Sequence, residues 1–84
     1  SAYAMKVYPN PSNQYFNVLV SSDDIKTSIS LRVMDMNGRV INSYSNLVPG
    51  TTIQLGSEFR PGVYVMEMIQ GSRRQQVKLI KQPN

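Results

Sequence analysis

The feature that most constrains this chain is the spacing of its turn signals. Pro9-Asn10-Pro11, Ser21-Ser22-Asp23-Asp24, Asn37-Gly38, Pro49-Gly50, Pro61-Gly62 and Gly71-Ser72 interrupt it at short intervals. That rhythm belongs to an all-β sandwich or barrel. Composition agrees, because only two alanines and two glutamates are available to fill helices. Val, Ile, Tyr, Phe and Thr take 25 of the 84 positions, and their shapes suit a pleated surface.

Seven strands are predicted, at Lys6–Tyr8, Gln14–Val20, Ser28–Asp35, Arg39–Tyr44, Thr51–Leu55, Val63–Ile69 and Arg73–Lys81. Alternation assigns their faces: Phe16, Val18 and Val20 share one, as do Ile29, Leu31 and Val33. In the sixth strand Tyr64, Met66 and Met68 are placed inside, so that Glu67 stays in water. The turn at Asn37-Gly38 reads best as a three-residue loop with a glycine bulge. It pairs Val33 with Ile41 and Met34 with Val40, and sets Asp35 opposite Arg39. Pro61-Gly62 suits a type II turn.

Eighty-four residues make one domain, whose core supplies roughly 3–5 kcal/mol of net stability. Hydrophobic residues form 40% of the chain and charged ones 17%, which is not the composition of a disordered segment. There is no cysteine to staple it, no apolar run of membrane-spanning length and no secretory leader in Ser-Ala-Tyr-Ala-Met. Either the domain is intracellular or it comes from a longer chain whose own beginning carries the address; the second is favoured. Residues 1–5 are expected to be a flexible N-terminal segment or a cloning remnant, residues 6–82 the domain, and residues 83–84 a tail.

Catalysis is hard to build from these residues. With no His and no Cys, the common general base, the thiol nucleophile and the commonest transition-metal ligands are missing. Of five carboxylates, only Asp23-Asp24 form a pair, and a calcium loop would need further oxygen ligands at alternate positions. No phosphate loop or nucleophile elbow occurs. No catalytic, cofactor or metal site is therefore assigned. The net charge of +4 is concentrated late, with Arg73, Arg74, Lys78 and Lys81 in the last twelve positions. These could meet phosphates, although no aromatic platform accompanies them; edge-strand lysines that discourage sheet-to-sheet pairing are the plainer reading. Met34, Met36, Met66 and Met68 fit a small irregular core better than a sticky surface, with Met36 the most exposed. Tyr8, Tyr15 and Tyr44 leave open a carbohydrate-binding face.

The order of four segments, Val7–Val18, Leu31–Ile41, Phe59–Met68 and Val77–Gln82, resembles the type A C-terminal sorting domain of the type IX secretion system. The resemblance covers about Lys6 to Gln82. It implies a seven-stranded, immunoglobulin-like Greek-key β-sandwich that acts as an address without enzymatic activity or a cofactor. It implies an N-terminal cargo domain and passage through the periplasm to the cell surface or beyond. The implied partners are the secretion machinery, namely an outer-membrane shuttle or translocon and a separate cysteine-protease sortase that removes the domain. No membrane span and no nucleic-acid partner are implied. Carried onto this sequence, the family motifs are Pro9, Asn10 and Pro11; Asp35, Gly38 and Arg39; Gly62, Val63 and Tyr64; and Lys78, Leu79, Ile80 and Lys81. Gln14 departs from the glycine often found there.

Two readings of the proline motif are open: a stiff corner, since Pro11 forces Asn10 to be extended, or a surface mark. In the last strand alternation puts Val77 and Leu79 inward and Lys78 and Ile80 outward. An open edge there is expected to accept a receptor strand. The rival function is a carbohydrate-binding or adhesin-type sandwich.

Overall fold

The computed structural model describes residues 3–84, and among them it is all-β with no helix. The strands are β1 (Ala4–Tyr8), β2 (Phe16–Ser21), β3 (Ile29–Met34), β4 (Val40–Leu47), β5 (Thr52–Leu55), β6 (Gly62–Gln70) and β7 (Arg73–Lys81). They form two antiparallel sheets, one ordered β1-β2-β5 and the other β4-β3-β6-β7.

The inward faces are those that alternation assigns. Phe16, Val18, Val20 and Leu55 from the first sheet meet Ile29, Leu31, Val33, Tyr64, Met66, Met68 and Leu79 from the second in one buried cluster. Full burial of each such side chain is worth about 1.5–3 kcal/mol relative to leaving it exposed. Met66 and Met68 are fully buried, whereas Met36 lies 66% exposed in the β3–β4 turn.

Boundaries differ more than faces do. β1 begins at Ala4, and Met5 pairs with Val20. The Tyr3 hydroxyl donates to the carbonyls of Met68 and Arg73. Tyr3, Ala4 and Met5, expected to be loose, are thus tied down; Ser1 and Ala2 lie outside the described residues. β4 runs on to Leu47 because a second irregularity, with Asn46 at φ 58°, restores pairing of Ile29 with Leu47. The Pro61-Gly62 type II turn is not formed: Gly62, at φ 154°, is already the first residue of β6. The hydrogen-bonded turn lies earlier, where the Phe59 amide donates to the Gly56 carbonyl at 3.1 Å.

Candidate functional site

The turn at the end of β3 is built around Asp35. Its Oδ1 accepts the amides of Asn37 and Arg39, its Oδ2 accepts Arg39 Nε at 3.0 Å, and its carbonyl accepts the Gly38 amide. Gly38, at φ 82°, takes the left-handed position that this loop needs. Met34 pairs with Val40 as expected, but Val33 faces Asn42, not Ile41. A bulge at Ile41 causes the shift, and the Asn42 side chain donates through Nδ2 to the hydroxyl of Tyr44.

β3 and β6 are antiparallel, so the β3–β4 turn lies beside the start of β6. There Tyr64 is buried, stacks at 4.8 Å on Phe59 and donates its hydroxyl to the Arg60 carbonyl. A cleft of ≈ 670 Å³ brings together Asp35, Met36 and Arg39 of the turn with Gly62, Val63 and Tyr64 of β6. The end of β7 joins the same pole, since Gly62, Val63, Tyr64 and Val65 pair with Lys81, Ile80, Leu79 and Lys78.

The proline segment completes it. Both Tyr8–Pro9 and Asn10–Pro11 peptides are cis. Asn10 lays its carboxamide along β7 like a strand peptide, donating to the Lys78 carbonyl at 2.8 Å and accepting the Ile80 amide at 3.0 Å. Ser12 continues the pairing: its amide donates to the Ile80 carbonyl and its carbonyl accepts the Gln82 amide. The edge expected to be open at the end of β7 is therefore already occupied. Ser12, at 5% exposure, is a part of this clamp that sequence reading missed. Its one local signal is the serine itself in a turn, where its hydroxyl accepts the Gln14 amide and donates to the backbone carbonyl of residue 15.

Lys81 requires a second correction. Counted in the sequence among the basic residues that could meet phosphates or guard an edge, it pairs with Gly62 on the inner face and is only 6% exposed. Its ammonium plugs the end of the sandwich, donating to the carbonyls of Gln14, Gly56 and Ser57. Lys78 and Ile80 do point outward and are exposed, and Leu79 is fully buried.

A family model described as a secretion system C-terminal sorting domain (Por_Secre_tail) matches residues 6–82. The chain belongs to that family. No curated protein matches it. As a type IX sorting domain it is a C-terminal sorting signal, recognised by that secretion machinery and implying export to the cell surface or extracellular space. No described helix is long and apolar enough to cross a membrane.

The sorting domain's charges are mostly spent on its own structure. Glu67 does face outward on β6, yet it is 5% exposed and far from wet. Arg32 stands directly across on β3 and Gln76 directly across on β7, and Arg74 closes from the diagonal. Burial pushes the Glu67 carboxyl up, but the Arg32 and Gln76 hydrogen bonds and the two guanidinium charges outweigh it and hold it below its ordinary range. Arg73 pairs with Asp23 at 3.0 Å. The basic residues of the closing segment are thus no continuous stripe, with Arg73 and Arg74 paired and Lys81 buried. Asp24 caps its own loop, accepting the amides of Lys26 and Thr27, which lower its pKa. Tyr8 lies on the outer side of the first sheet, while Tyr44 packs against the core from the second, so the tyrosines do not share a face.

Proposed function

We propose that this domain is an address read as a folded surface: the secretion machinery recognises the pole where the four motifs meet, and the domain contributes no chemistry. One observation carries the reading. Residues 9–11, 35–39, 62–64 and 78–81 are scattered over the sequence, yet their pairing and hydrogen bonds gather them at one end of one small body. The cargo lies N-terminal, crosses the periplasm with the domain folded, and is freed by a separate cysteine-protease sortase that cuts ahead of β1. An immunoglobulin-like Greek key is part of this proposal; the two antiparallel sheets support it, as does the Tyr64 bond to the Arg60 carbonyl, which is of the tyrosine-corner kind.

A reporter carrying residues 6–84 at its C-terminus, expressed in a host with a type IX route, is expected at the cell surface. Retention of this intact fusion in the periplasm, together with glycan binding by the domain, would replace the reading with that of a carbohydrate-binding module.

A further inference from the structure

We propose, building on the sorting reading, that the receptor docks on the outer face of the four-stranded sheet at the motif pole. We further infer that it meets this face with an apolar surface that carries a carboxylate at its edge. The receptor uses the face because the edge beside it is closed by Asn10 and Ser12.

The apolar part of the face is continuous. Val63 and Ile80 stand directly opposite each other, 37% and 38% exposed, with their neighbours Tyr64 and Leu79 turned into the core. In the next row Val40, Met34 and Val65 follow one another across β4, β3 and β6. Met36 lies in one hollow with Met34 and Val65, and in the larger cleft with Val63. None of these side chains belongs to the buried core. The outer side of the other sheet is different: Leu19 is flanked there by Lys6 and Thr52, and Tyr8, Asn17 and Gln54 complete a mostly polar face. An apolar patch on one face only, rimmed by polar groups, is what a docking surface looks like.

Charge identifies the partner. On this face Glu67 engages Arg32 and Arg74, and at the hollows Asp35 engages Arg39 while Glu58 lies in the same cleft as Arg60, which leaves Lys78 as the cation beside the apolar centre. Among the described residues no carboxylate lies within ion-pair distance of Lys78, which follows Val65 in the apolar row. A lysine of this kind beside an apolar centre selects a carboxylate at the matching edge of the partner, steering the encounter and fixing register.

The test uses the reporter fusion with Lys78→Glu, Ile80→Glu and, as a control on the other sheet, Lys6→Glu. Surface delivery is expected to fall roughly tenfold or more for each patch variant, with the thermal midpoint within a few degrees of the parent, and to be unchanged for K6E. If I80E lowers the midpoint, K78E decides, because the Lys78 side chain is exposed and makes no bond among the described residues. Delivery of the parent and of both folded patch variants alike would overturn this proposal and leave the sorting reading standing. Failure of the parent fusion itself would sink both. Binding of the parent to phosphatidylglycerol vesicles, lost in K78E, would also overturn the proposal by assigning the patch to a lipid surface.

Discussion

Gly56 shows how tightly one residue is constrained at the closed end of the sandwich. Its φ is 92°, and a Cβ built there would stand 2.8 Å from Phe16 Cδ2 and 3.2 Å from Phe59 Cδ2. Gly56→Ala therefore combines left-handed strain with overpacking and is expected to cost at least about 2 kcal/mol. Urea unfolding checks it, and an unchanged midpoint would refute the close approach. The Gly56 carbonyl is also one of three that hold the Lys81 ammonium. Lys81→Met keeps the stem but orphans those carbonyls, so a loss of about 1–3 kcal/mol is expected by the same measurement. Acid stability is a residue-scale property too. Glu67, Asp24 and Asp35 all bind their protons less tightly in the folded state, Asp35 chiefly because the Arg39 amide donates to it. Their contribution is complete above the ordinary values of 3.8 for Asp and 4.5 for Glu, and is lost as pH falls through the lowered folded values. The thermal midpoint should fall steeply below about pH 4.5, and Glu67→Gln should flatten part of that limb. A parallel profile in E67Q would show that the Arg32–Glu67–Arg74 contact carries none of the dependence.

Among the elements, the pairing of the entrance segment with β7 has the widest consequence. Both motifs are visible in the sequence, but nothing local indicates that Asn10 bonds to residues 68 and 70 positions away. The proline motif is a corner, as one reading held, and it is also a clamp. Asn10→Ala removes two hydrogen bonds at a partly wet edge, a loss of about 1–2 kcal/mol, or about 5–15 °C in the midpoint of so small a domain. Amide exchange should quicken at Ile80 and at Gln82, whose carbonyl partner is Ser12. Unchanged exchange at both would mean that the clamp contributes nothing to closing the edge. Strand type and inward faces were readable at this scale, because period-two alternation is a local property. The ends were not: β1 gained Ala4 and Met5 through its partner β2, and β4 gained its last residues through a bulge.

At the scale of the whole molecule, the terminal strand serves stability and display together. Leu79 is fully buried and Lys81 plugs the end of the sandwich, whereas Lys78 and Ile80 face outward. Deleting residues 77–82 therefore strips the core as well as the proposed docking face, and is expected to abolish cooperative thermal unfolding. A truncated domain that still melted sharply would contradict this double role. For the same reason, lost export after such a truncation does not separate folding from recognition, and surface point variants do.

The sequence alone determined that this chain makes short strands, which side chains they turn inward, and the order of motifs that marks a sorting domain. Those are matters of neighbours, since alternation and turn chemistry act within a few residues. Only the tertiary structure decided that Lys81 and Glu67 leave the water, that Asn10 and Ser12 close an edge, and that four separated motifs form one surface. Each of those outcomes depends on register between strands distant in the chain, where a one-residue slip would exchange the two faces.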